Sequence, residues 1–150
     1  MAHYTNEVFQ VEFDYPDTWV RHRDPGGGVS PVEDYSDPRG TEFGFFNVNV
    51  CCGGQGTLDD VAKLDAEHKF KPFGEEPRIL SLTLPAGEAR LILPDERATD
   101  NYGAELIIRY PPSFSISDFY AFFLLRAHED YIQKIASTLR LTGTSTTPTP

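Results

Sequence analysis

Cys51-Cys52, at the end of an alternating strand, is the pair of side chains in this 150-residue chain with the most chemistry on offer. Adjacent thiols can hold a soft metal or close a vicinal disulfide. Alternation along a strand, however, sends neighbouring side chains to opposite faces, which suits neither role. Thiolate zinc sites also need spaced cysteines and a second ligand pair, and no second pair follows. The pattern therefore predicts two structural cysteines. Cys51, beside two asparagines and a glycine turn, is the more accessible of the two.

Gly53-Gly54-Gln55-Gly56 lies between a strand and a helix, the position of a phosphate loop. No Lys-Ser/Thr follows the glycines, and Asp59 stands where the third glycine of a dinucleotide fingerprint would be. Asp59 and Asp60 also place two negative charges at the helix end that a phosphate would need, so the segment reads as a tight turn before a capped helix. His3, His22, His68 and His128 are scattered and form no His-x-x-x-His pair. Asp95, Glu96, Asp100 and Asn101 offer oxygen donors without the ligand spacing of a calcium loop, which predicts a solvated hairpin loop. No Gly-x-Ser-x-Gly or other nucleophile–base order is present. The reading assigns no catalytic residue, no metal and no cofactor.

Two candidate binding sets remain. Asn47, Asn49 and Cys51 share one strand face, and asparagines on a face covered by a helix would point to a small ligand. Tyr35, Phe73 and Phe114 fall in predicted loops, where aromatics either anchor a partner protein or fold back onto the domain edge.

The elements that must position these residues follow from periodicity. Phe9 to Tyr15 alternates, with Phe9, Val11, Phe13 and Tyr15 on one face. Residues 24–40, rich in Pro and Gly, read as a mobile surface loop. Phe43 to Cys52 is a second strand. A helix begins at Thr57, which can cap it, and runs to about Phe70 before Pro72. Strands around Leu80–Leu84 and Ala89–Leu93 form a hairpin about Pro85-Ala86-Gly87, and Ala104–Tyr110 is a further strand. Asp118 to Ala127 is apolar on both faces, the mark of a central strand. In the closing helix, Glu129 to Leu141, Ile132, Ile135, Ala136 and Leu139 fall on one face. Short turns between strands imply a mostly antiparallel sheet with a helix on each face: an α+β, three-layer α/β/α sandwich.

Three patches resemble the PsbP-like superfamily: Phe13-Asp14-Tyr15-Pro16-Asp17-Thr18-Trp19; Gly87-Glu88-Ala89-Arg90-Leu91-Ile92; and Asp118-Phe119-Tyr120-Ala121-Phe122 followed by Glu129-Asp130-Tyr131 and Ile135 to Leu139. Together they frame residues 7 to 141. The resemblance implies the α/β/α sandwich of the extrinsic photosystem II subunit, a Ran-binding nuclear import factor and bacterial exported or chaperone-like proteins. That superfamily has no common catalytic constellation, so the resemblance carries over no site residue, and fold alone does not assign function.

Length fits one domain, taken as residues 1–141, with 142–150 a disordered Thr/Pro-rich tail. A net charge of −10 with no basic stripe disfavours nucleic acid. No stretch is long and apolar enough to insert in a membrane, and the start carries no export signal, which predicts a cytoplasmic protein, or an extracytoplasmic one if a leader has been removed. The expected function is a non-enzymatic protein-binding or accessory module. The alternative is a small-ligand or metal-binding domain using the face near Asn47, Asn49 and Cys51.

Overall fold

The computed structural model of the chain describes residues 1–22, 30–97 and 102–143. Among these residues, ten strands and two α-helices follow in the order β1 (Ala2–Asn6), β2 (Val11–Tyr15), β3 (Val20–His22), β4 (Asp34–Ser36), β5 (Phe45–Cys51), α1 (Leu58–Ala66), β6 (Arg78–Leu84), β7 (Gly87–Leu93), β8 (Gly103–Arg109), β9 (Phe122–His128), α2 (Ile132–Thr138) and β10 (Arg140–Leu141). Seven strands form one antiparallel sheet in the order β3-β4-β5-β9-β8-β7-β6, and β1, β2 and β10 form a second, smaller one. The fold is α+β with mostly antiparallel sheets, as the short connections imply.

Alternation sorts the large sheet's side chains into two clusters. Phe46, Val48, Leu91, Leu106, Phe123 and Leu125 pack with Ile132, Ile135 and Ala136 of α2 and with Tyr4, Val11 and Phe13 of the small sheet. Ile92, Ile107 and Phe122 pack on the other side with Val61, Ala62 and Ala66 of α1 and with Phe73. β8 and β9 thus contribute to both clusters, which is why their sequences carry consecutive apolar residues. Trp19 is buried against this core, and a Cβ on Gly44 would run into its indole ring, so the close approach at residue 44 requires glycine.

The cap of α1 is formed as expected: Thr57 Oγ1 accepts from the Asp60 amide at 3.1 Å, and the Asp60 carboxylate accepts from the Thr57 amide at 3.0 Å. Other boundaries differ from the sequence reading. The first strand of the chain is Ala2–Asn6, which pairs with β2. Phe9 is buried but precedes the strand, because Gln10 has a φ of 59° and breaks the extended chain. Within residues 24–40, Asp34–Ser36 is a strand held between β3 and β5, not loop; residues 24–29 lie outside the described residues. α1 stops at Ala66, and Lys71, with a φ of 49°, turns the chain before Pro72.

β9 starts four residues later than expected. Ser115–Asp118 is a 3-10 turn whose Ile116 carbonyl accepts from the Phe119 and Tyr120 amides. Phe119 and Tyr120 consequently stay exposed. α2 is shorter than expected at both ends. Glu129 donates its amide to the Tyr102 carbonyl, and Leu139 is extended so that Arg140 and Leu141 can pair with β2. Residues 144–150, most of the predicted tail, and Asp100 and Asn101 lie outside the described residues.

Candidate functional site

Glu105 is a carboxylic acid in a strand whose neighbours, Ala104, Leu106, Ile107 and Ile108, are all buried and apolar. Its place on β8 opposite Arg126 of β9 puts both side chains on the α1 face of the sheet. The last turn of α1 brings Asp65 over them. The chain then folds through His68 to Phe73, pinned by the Asp95 amide donating to the Phe73 carbonyl at 2.9 Å. A cavity of about 290 Å³ is left between this segment and the strands, lined by Asp65, His68, Phe70, Pro72, Phe73, Glu105 and Arg126.

Charge in this cavity is set by burial. Glu105 is only 5% exposed, and its desolvation, together with the Asp65 carboxyl beside it and against the opposing charge of Arg126, pushes the carboxyl up to about 9. Arg126 Nε lies 3.9 Å from Glu105 Oε1, an ion pair beyond hydrogen-bonding distance that only partly offsets the burial. Glu105 Oε2 is buried and no donor reaches it. Burial and the Asp65 carboxyl both favour the neutral, protonated form of Glu105 over its carboxylate. The Arg126 guanidinium is otherwise occupied, 5.1 Å above the Phe73 ring.

The mouth is aromatic. His68 and Phe70 stack at 5.2 Å, and His68 Nδ1 accepts from the Phe70 amide at 3.2 Å. That bond leaves the proton of the neutral ring on Nε2. Phe70 is 77% exposed at the rim, whereas Phe73 is 1% exposed and forms the inner wall. The arrangement offers apolar walls, a fixed cation and a buried carboxyl, Glu105, whose proton is held more tightly than usual.

The residues singled out from sequence fall around this site rather than in it. Asn47 is the cross-strand partner of Arg126, and Asn49 and Cys51 continue the same face. Asn49 is exposed, and its side-chain oxygen accepts from the Val50 amide at 2.8 Å. Asn47 is half-buried. Tyr35 lies in β4, stacked 4.7 Å from Phe46 and edge-on to Tyr4 and Tyr15, so its ring serves the core on the opposite face. Phe114 packs 6.4 Å from Tyr110 in that same core. Of Tyr35, Phe73 and Phe114, only Phe73 lines the cavity.

The cysteine expectation is overturned. Cys51 and Cys52 form a disulfide with each other. The alternation that would separate them ends with β5 at Cys51, and Cys52 turns into the left-handed region with a φ of 75°. His128 is a structural residue: its Nδ1 accepts from the Asp130 amide and its Nε2 donates to the Glu42 carbonyl at 2.9 Å. The signal for the cavity was present in the sequence as the lone acid within Ala104-Glu105-Leu106-Ile107-Ile108.

Comparison with protein-family models, curated proteins and solved structures finds no match to this chain. Among the described residues, no helix is long and apolar enough to cross a membrane, and no three His, Cys, Asp or Glu side chains converge as metal ligands.

Proposed function

We propose that this chain is a non-enzymatic binding domain that takes a small, partly apolar ligand into the cavity beneath α1 and links its uptake to the proton held by Glu105. The reading rests on one observation above all: a buried acid kept at the floor of a cavity at a cost in stability. Buried ionisable groups with perturbed protonation in clefts are where binding and catalysis are found. As architecture we propose the three-layer α/β/α sandwich of PsbP-like type, with α1 as one outer layer and α2 with the small sheet as the other. The two apolar clusters support that reading, as does the order of the elements.

A thermal-melt screen of small metabolites at pH 6 and pH 8 tests the function. A ligand at 100 times its dissociation constant stabilises by about 2.7 kcal/mol, a rise of roughly 5–10 °C in Tm for a domain this size. The rise should differ between the two pH values and should shrink in Phe70→Ser and Arg126→Gln. A ligand whose rise is untouched by both substitutions binds elsewhere, and this reading then fails.

A second reading, an accessory module contacting another protein, is favoured by one further observation. Val8, Phe119 and Tyr120 are exposed together around an apolar cleft of about 280 Å³ that also involves Phe9 and Ile116. A photo-crosslinking residue at position 119 should trap the side chain of a partner protein there. Trapping that is no stronger than at an exposed control position such as Lys134 would remove it.

A further inference from the structure

The Cys51–Cys52 bond joins residues that are neighbours in sequence. A disulfide stabilises a fold mainly by closing a loop in the unfolded chain, and its effect grows with the residues enclosed. This one encloses none, so it restrains the unfolded chain hardly at all and its consequences are local and chemical. We propose that Cys51 and Cys52 are a reversible thiol–disulfide exchange site that accepts electrons from a dithiol reductant.

The two sulfurs have different surroundings, which gives the exchange a direction. Cys51 is half-buried against the cluster containing Phe122 and α1, while Cys52 is exposed one residue beyond β5. An incoming thiolate therefore attacks Cys52 Sγ. The Cys51–Cys52 bond breaks, a mixed disulfide forms at Cys52, and Cys51 leaves as a thiolate that takes up a proton. The second thiol of the reductant then attacks the reductant's own sulfur in the mixed disulfide and releases Cys52, which is protonated in turn. Two electrons and two protons have passed to the cysteines, and the dithiol departs as a disulfide.

The neighbourhood supports both states. The Arg109 guanidinium lies 5.0 Å from the ring centroid of Phe122, the cross-strand partner of Cys51. It thus sets a positive charge at the sheet end where the thiolate forms, and such a charge favours thiolate. The same guanidinium donates to the Gly54 and Gly56 carbonyls, each at 2.7 Å, and the Ala121 amide donates to the Cys52 carbonyl at 2.9 Å. These three bonds anchor the turn to β8 and to the approach to β9 independently of the disulfide. Opening the S–S bond frees Cys52 from its left-handed conformation without releasing the turn.

Iodoacetamide labelling of the native protein, read by intact mass, tests the proposal. Without reductant no adduct should form. After dithiothreitol in native buffer, two adducts should map to Cys51 and Cys52, and oxidised glutathione should reverse the change. Phenylarsine oxide should add once per chain, bridging both thiols, only after reduction. Arg109→Gln should slow reduction several-fold, and the Cys51→Ser/Cys52→Ser double variant should melt close to the wild type. Reduction that requires denaturant, two labelled thiols without any reductant, or a double variant that fails to fold would each overturn the proposal.

Discussion

Replacing Glu105 by glutamine should flatten a fall in stability that the wild-type protein undergoes as the pH rises from about 5 to about 9. The sign follows from proton binding. Burial and the Asp65 carboxyl raise the folded-state affinity of Glu105 for its proton, to about 9 from an ordinary value of 4.5. Between those values the folded chain holds a proton that the unfolded chain has lost, so raising the pH favours unfolding. By pH 7 the loss amounts to about 3 kcal/mol relative to acid conditions, taken as an upper bound because solvent entering the cavity relaxes the penalty. Glutamine cannot ionise, and its amide can donate to Asp65 as the protonated acid does. Glu105→Gln should therefore match the wild type near pH 5 and exceed it by up to about 4 kcal/mol at pH 8. Urea denaturation at pH 5, 7 and 9 reads this directly. Asp37, Asp60 and Asp95, whose carboxyls are held below their usual range by hydrogen bonds from Arg39, from Thr57 and from the Arg97 amide, act only on the acid side of this window and in both proteins alike. Parallel curves for the two proteins would mean that Glu105 ionises freely.

How much of this was legible beforehand depends on whether a residue's partner is near in sequence. Thr57 and Asp60 are three apart, and the Thr57 cap could be read directly. The β6–β7 hairpin was equally local, since Leu84 pairs with Gly87 across Pro85 and Ala86. The double-sided character of β9 showed in its run of apolar residues. What escaped depends on distant pairings or on single backbone torsions. The final helix was overextended because Arg140 and Leu141 leave it to pair with β2, more than 120 residues earlier. The disulfide escaped because a period-two argument holds only while the strand continues, and β5 ends between the two cysteines. The cavity escaped for a different reason. Asn47 and Asn49 were sought as polar residues on a half-covered face, whereas the informative residue was Glu105, one polar group among wholly buried neighbours, where desolvation is largest.

Phe46→Ala should be the most damaging single substitution in the small-sheet side of the core, lowering stability by about 3–5 kcal/mol. Phe46 is fully buried. Its ring lies 4.7 to 6.2 Å from those of Tyr4, Phe13, Tyr15, Trp19 and Tyr35, which come from β1, β2, the following turn and β4. Truncation removes the common neighbour of five rings, and rigid aromatics cannot close around the void, so transfer and cavity costs add. For a domain this size the loss corresponds to a fall in Tm of roughly 10 °C or more. Phe119→Ala is the matched control: the same atoms are removed from a residue 78% exposed, and the change should stay within about 0.5 kcal/mol. Comparable losses for the two variants would mean that Phe46 is not the centre of that cluster. Phe46 and Glu105 sit two strands apart on opposite faces of the large sheet, one in each cluster. Their substitutions should then add within about 0.5 kcal/mol at pH 8. A larger coupling would show that the sheet transmits strain from the aromatic core to the carboxyl pair, and packing on one face would then tune proton binding on the other.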